Sequence, residues 1–380
     1  MPRYDDSLTA LLRAMLWDEP LSIDPSLLMS HELWQQASRQ QLSHMLAVWA
    51  LNHAYAIPYP TVVKQRVFRT LQRRERQNNF LLDLVSLLRA HGIEPVLLKG
   101  YALSLLYPNP DMRDYSDVDL YIGEHDYNRM ILVIREAYPN AYWFSEEHAG
   151  LHFVMVKDAQ FDLIAEMHRV TMEFSRMPRA NRAFQQFTQE EMNHPGQQTL
   201  NGVVISVPSL SYNALYVFLH AWHHFASNGV GLRQMGDWTL ALHAARSEQH
   251  LADVLSPLLK HMHMLEVWQT FGWVLVNRLG LPQDEFPLYN NSSRCARRGE
   301  RLYRQLLRDG HCGRQRRFSL CSRTLYVYPF SRPTKGRLFQ KIHTLLRMIF
   351  DSIQLAKLFP RFAFYTILSI PLASTSTEKS

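Results

Sequence analysis

The segment Arg113-Asp114-Tyr115-Ser116-Asp117-Val118-Asp119-Leu120-Tyr121-Ile122 constrains this chain more than any other, because its second half alternates polar and apolar residues as a half-buried strand does. Side chains on a strand alternate faces, so Asp117 and Asp119 project to the same side. Carboxylates held that close repel and shift one another's pKa, and a chain that places them together usually supplies a cation. Mg²⁺ suits such a site, since it takes carboxylate oxygens together with substrate phosphates.

Two neighbouring stretches complete the pattern. The apolar run Pro95-Val96-Leu97-Leu98 passes into Lys99-Gly100 and then a helical pattern from Tyr101 to Leu106. Strand, glycine turn and helix is how phosphate is often met: glycine lets the backbone approach, helix-start N–H groups point outward, and Lys99 adds a cation. Further on, Asp162, Glu166 and His168 share one face of a strand by parity, with Leu163, Ala165 and Met167 on the other. Lys157 to Gln160 reads as the hairpin connection from a strand at 151–156, so Glu166 can sit beside Asp117 and Asp119 in one sheet.

The Leu98-Lys99-Gly100 turn, Arg113 with Ser116-Asp117-Val118-Asp119, His148 and His152, and Glu166-Met167-His168 together resemble the uncharacterised bacterial nucleotidyltransferase family of the polymerase-beta-like superfamily. A second block resembles it too, in His220, His223, His224 and the run Gly231 to Trp238. The superfamily usually carries Gly-Gly or Gly-Ser at the turn; Tyr101 follows Gly100 in this chain. The resemblance implies a nucleoside triphosphate substrate and two Mg²⁺ ions. Asp117, Asp119 and Glu166 would be the catalytic metal ligands; Lys99, Gly100, Arg113, Ser116, Arg233 and Gln234 would hold the nucleotide. His148, His152, His168, His220, His224 and Asp237 would contact substrate. Association of such genes with polysaccharide assembly implies a sugar phosphate or glycan precursor as acceptor. Toxin-like relatives that modify protein or RNA supply an alternative, and a catalytically silent scaffold is another.

The residues themselves leave several of these roles open. His220 and His224 on one helix face read equally as a structural polar network, and Asp237 as the partner that keeps Arg233 in place. The expected architecture is α+β, a small mixed or antiparallel sheet embedded in a mostly helical protein. Its expected parts are helices over 1–90, the α/β core over 91–170, a helical nucleotide-binding region over 171–290 and a basic amphipathic region over 291–380. A single helical pattern spans His31 to Asn52, Asp126 is placed to cap a helix through Ala137, and Ser209 or Ser211 to cap another.

A net charge of +7 favours an anionic partner without choosing one. Cys295, Cys312 and Cys321 form no C-x-x-C pair, which fits a reducing cytoplasm, and no uninterrupted apolar run is long enough to span a bilayer. Arg66, Arg69, Arg73, Arg74 and Arg76 read as a solvated helix face or as an anion-facing surface near the cleft. The basic and apolar tail after residue 336 suits either docking on the body, the favoured reading, or peripheral contact with an anionic membrane.

Overall fold

A computed structural model describes residues 4–144, 153–157, 163–174, 178–227, 229–311, 356 and 358–368. Its centre is a mixed sheet of seven strands in the order β3-β4-β5-β2-β1-β7-β6. The strands are β1 (Val96–Leu97), β2 (Asp117–Tyr121), β3 (Tyr142–Phe144), β4 (Phe153–Lys157), β5 (Ile164–His168), β6 (Gly196–Leu200) and β7 (Val203–Val207). The helices are α1 (Tyr4–Trp17), α2 (His31–Arg39), α3 (Ser43–Asn52), α4 (Pro60–Ala90), α5 (Tyr101–Ser104), α6 (Gly123–Ala137), α7 (Pro178–Met192), α8 (Leu210–Ser227), α9 (Leu232–Ala244), α10 (Leu251–His261), α11 (Leu265–Leu279), α12 (Ser293–Asp309) and α13 (Pro360–Leu368).

Parity decides which side of the sheet is greasy. Val118 and Leu120 of β2 join Ala165 and Met167 of β5 in one core with Phe80, Leu81, Leu84, Val85 and Leu88 of α4 and Met130, Val133 and Ile134 of α6. Each of those α4 side chains contributes about 1.5–3 kcal/mol on burial, which is why the apolar half of α4 is pinned to the sheet. The acidic residues of β2 and β5 are thereby left on the opposite face. A second, larger core gathers α1, α3, α8, α9 and α11, and takes in Leu98, Leu103, Tyr107 and Met112 from around the Lys99-Gly100 turn. The turn thus sits where the two cores meet.

The sheet is larger than the sequence suggested. Gly196–Leu200, inside the region expected to be helical, pairs with β7 as an antiparallel hairpin, and β7 adds to β1 in parallel. Asn201 and Gly202 both take positive φ, 49° and 81°, at its tip. That dipeptide is a strong hairpin signal, masked here by the polar composition of β6. Ser209 caps α8 through the Tyr212 N–H (3.0 Å), whereas α6 begins at Gly123, ahead of the expected Asp126.

The expected single helix from His31 to Asn52 is broken between α2 and α3, where Gln41 has φ 59°. Gln40 explains the break. Its buried side chain donates to the carbonyls of Leu306 and Leu307 (3.0 Å each) at the end of α12 and accepts from Leu232 N (2.9 Å) at the start of α9. One amide therefore satisfies terminal groups of two distant helices, groups a helix cannot satisfy itself. Gly231 is required beside it, since a Cβ there would lie 2.7 Å from the Gln40 carbonyl oxygen. Gln40→Ala is expected to cost about 2–4 kcal/mol in urea unfolding, because each orphaned buried group costs about 1–3 kcal/mol. Exposed Arg39→Ala should stay within about 0.5 kcal/mol of the parent; equal effects at both positions would rule out the joint.

Among the described residues no helix is long and apolar enough to cross a membrane. Phe359 is fully buried and packs edge-on against Trp222, so this part of the basic tail docks on the body. In α12, Arg298 pairs with Glu266, and Glu300 bridges Arg278 and Arg304.

Candidate active site

β2 and β5 lie side by side in parallel, with Asp119 opposite Glu166 and Tyr121 opposite His168. Asp119 is 2% exposed. Its Oδ1 accepts from Lys99 Nζ at 3.0 Å and lies 3.1 Å from His168 Nε2, which is also 3.5 Å from Glu166 Oε2. Asp119, Glu166 and His168 form the cluster whose ligand atoms all fall within 4.8 Å of one another. His168, expected as a substrate contact, thus sits among the carboxylates.

The electrostatics separate the two aspartates. Burial would raise the Asp119 carboxyl, but the Lys99 ammonium and the His168 hydrogen bond outweigh it and hold that carboxyl below its usual range. Burial also opposes charge on Lys99 and His168; Asp119 overcomes it for the ammonium, and Asp119 with Glu166 for the imidazole, so both titrate high. Asp117 goes the other way: burial raises its carboxyl, and Asp119 and Glu166 raise it further against the pull of Lys99 and Arg113. A half-buried carboxylate crowded by two others is a setting that a divalent cation would relieve. Asp119, Glu166 and His168 are the residues gathered closely enough to hold one, whereas Asp117, expected with Asp119 and Glu166 as a metal ligand, lies on the same strand face outside that close cluster.

The turn carrying Lys99 depends on glycine. Gly100 has φ 59° and ψ −117°, a combination closed to residues with a side chain. Its carbonyl accepts from Arg113 Nη1 at 3.0 Å. The rest of that guanidinium is spent on Asp237, with Nε to Oδ1 at 2.7 Å and Nη2 to Oδ2 at 3.1 Å, while the Tyr107 hydroxyl donates to Oδ1 at 2.6 Å. Arg113, expected on phosphate, therefore braces the turn from inside, because its donors are consumed by a buried carboxylate of α9. Arg233 lies beside them, 3.4 Å from Asp237 Oδ2 and 3.3 Å from Gln41 Oε1, and remains partly exposed. Gln234, expected on nucleotide, is buried and its Oε1 accepts the Gly231 N–H at 3.1 Å as a helix cap. Ser116 is exposed just before β2. His148 and His152 lie outside the described residues.

The opposite wall comes from α8, where Tyr212, Tyr216, His220 and His224 follow one another at four-residue spacing as a ladder of ring contacts. His220 and His224 place their Nε2 atoms 3.1 Å apart, so one imidazole donates to the other. Burial, with Lys99 next, lowers His223 to about 4; burial and the neighbouring His223 lower His224 to about 3. Burial likewise takes His220 well down, so the cluster is neutral at physiological pH. Tyr216 was not anticipated: burial raises its phenol, opposed by Lys99 and reinforced by Asp119, Glu166 and Asp117, which places it against the acidic site. Its position four residues before His220 was the available signal.

A mixed sheet with carboxylates in register on two parallel strands beside a lysine-glycine turn defines a nucleotidyltransferase-like fold. The profile of the uncharacterised nucleotidyltransferase family matches residues 29–269, more than half of the sequence, and the chain belongs to that family. Among solved structures, an antigenic nucleotidyltransferase-like protein from Paracoccidioides brasiliensis aligns at 17% identity over 49% of this chain and 88% of its own, with a TM-score of 0.32. Among curated proteins nothing matches.

Proposed function

We propose that this protein is a Mg²⁺-dependent transferase that moves a nucleotidyl group from a nucleoside triphosphate to an acceptor hydroxyl. The observation that carries the reading is the meeting of Asp117, Asp119 and Glu166 on one sheet face beside Lys99. In the reaction the acceptor oxygen bonds to the α-phosphorus, the bond from that phosphorus to the bridging oxygen breaks, and pyrophosphate leaves. Bound Mg²⁺ supplies neutralisation of phosphate charge and a lowered pKa for the acceptor hydroxyl.

The chain's own residues do the rest. Asp117, Asp119 and Glu166 would hold the cations, and Glu166 would take the acceptor proton. Lys99, 3.0 Å from Asp119, would add its positive charge to the phosphates. The Gly100 backbone lets phosphate approach, and Arg113 with Asp237 keeps the turn in place. Arg233, partly exposed, is placed to meet the nucleotide. The neutral imidazoles of His220 and His224 offer hydrogen bonds to sugar or base without adding charge. The resemblance to families tied to polysaccharide assembly makes a sugar phosphate or glycan precursor one acceptor class.

Isothermal titration with ATP, GTP, CTP and UTP, with and without Mg²⁺, tests this. At least one nucleotide should bind only with Mg²⁺, and the heat should vanish in Asp119→Asn. Absence of binding for all four would sink the assignment and favour a silent scaffold.

A further inference from the structure

The first half of α4 is an outlier in charge. Between Pro60 and Leu82 it carries Lys64, Arg66, Arg69, Arg73, Arg74 and Arg76, with Glu75 the sole carboxylate. Arg74 turns inward to Asp111 (3.0 Å) and lies over the Tyr115 ring, and Arg73 pairs with Asp114 (2.7 Å). Arg66, Arg69 and Arg76 are exposed, and among the described residues no carboxylate pairs with them. Residues 66, 69, 73 and 76 recur at three- and four-residue steps, so the guanidiniums form one stripe along the helix. Together with Gln65 and Thr70 they line a concavity of about 360 Å³.

Three further features give the stripe direction and chemistry. It ends at the catalytic strands: Gln77 Nε2 donates to the Ile164 carbonyl (2.9 Å) at the start of β5, and Tyr115 donates to Asn78 Oδ1 (2.6 Å) just before β2. It advances about 4.5–6 Å per arginine along the axis, close to the spacing of successive phosphates in an extended strand. Phe68, about a third of a turn round the helix from the stripe, and Tyr59, just before the helix starts, are 61% and 73% exposed, the latter held at φ 51°, a region unusual for a residue with a side chain. A phosphate-tracking row of cations beside exposed aromatic faces is how single-stranded nucleic acid is gripped. A single phosphate would engage one or two of these cations, whereas a row of them at this spacing is matched by a polyanion with regularly repeated charges.

We propose that this face of α4 is the docking track for a single-stranded polynucleotide whose terminal hydroxyl is the acceptor. The binding surface stands on its own; the acceptor role rests on the nucleotidyl-transfer reading above. Arg66, Arg69 and Arg76 take phosphates, Arg73 stays with Asp114 between them, Phe68 stacks on a base, and the strand end passes Ser116 to reach Asp117.

Fluorescence anisotropy of the full chain with a labelled oligoribonucleotide of about 12 nucleotides, from about 50 to about 200 mM salt, tests the track. The parent should bind, with affinity falling as salt rises. Arg66→Gln/Arg69→Gln/Arg76→Gln should lower the slope of log K against log salt by about 2, at about 0.7 for each phosphate left without its arginine. Phe68→Ala should weaken binding about five- to hundredfold, from about 1–3 kcal/mol per stacked base. Asp117→Asn should bind the oligonucleotide as the parent does while failing to extend it, which separates failure of the track from failure of the chemistry. Absence of RNA binding at the lowest salt, an unchanged slope in the triple variant, or capture by phosphatidylserine vesicles in place of RNA would overturn the proposal.

Discussion

Asp117→Asn should abolish nucleotidyl transfer, by about 10³-fold or more, and leave the protein as stable as the parent or more so. A loss of that size corresponds to about 4 kcal/mol of transition-state stabilisation, the scale on which removal of a metal-binding anion acts. The stability half of the prediction follows from the direction of its titration. Burial and the neighbouring Asp119 and Glu166 make the Asp117 charge unfavourable in the folded protein, so an amide of the same shape relieves repulsion. Asp119→Asn should differ although it lies two residues away on the same face. It strips the counter-ion from Lys99, and a broken buried pair costs about 3–5 kcal/mol, reduced here to about 2–3 because Lys99 keeps 16% exposure. Transfer assays and urea unfolding on both variants decide the matter. Proportional loss of activity and stability in Asp117→Asn would mean that the aspartate is structural, and the transfer reading would fall with it.

The contrast marks what one-dimensional information can carry. Alternation in Asp117-Val118-Asp119 and in Glu166-Met167-His168 sufficed to place the acidic groups on one strand face, because the two-residue period is a property of the backbone alone. Which residue faces which across the strands was not available: the parallel register that sets Asp119 against Glu166 is fixed by burial of Val118, Leu120, Ala165 and Met167 under α4 and α6. Residue type misled at Arg113 and Gln234 for a related reason. A guanidinium suits a phosphate or a carboxylate, and the carboxylate that claims Arg113 is 124 residues away. Gln40 gave no signal, since an amide in a polar turn looks the same whether it meets water or two helix ends. Of the Tyr212 to His224 ladder the sequence showed only that His220 and His224 share a helix face, and of the α4 arginines only that they crowd its first half; what surrounds them needed the fold.

Asp237→Asn should be among the most damaging single substitutions outside the carboxylate cluster, at about 3–5 kcal/mol of stability. It leaves the Arg113 guanidinium, whose side chain is 6% exposed, without a counter-charge in the interior, and an unpaired buried charge costs more than the pair contributes. The Tyr107 hydroxyl can still donate to the amide oxygen, so the loss reflects charge and not shape. The double variant Arg113→Met/Asp237→Leu should be more stable than either single one, yet inactive, because the Gly100 carbonyl is then without the donor that fixes the turn. A pH series supplies an independent check with a defined sign. Burial would raise the Asp237 carboxyl, but Arg113, then Arg233 and the hydrogen bonds from Arg113 and Tyr107, bring it below the ordinary value of 3.8. Its stabilisation is therefore fully present above that value and is lost as pH falls through the folded-state pKa. The gap between parent and Asp237→Asn should be wide at neutral pH and should narrow below 3.8. A gap under about 1 kcal/mol at pH 7, or one that widens in acid, would show that Asp237 does not hold Arg113, and the braced turn would lose its support.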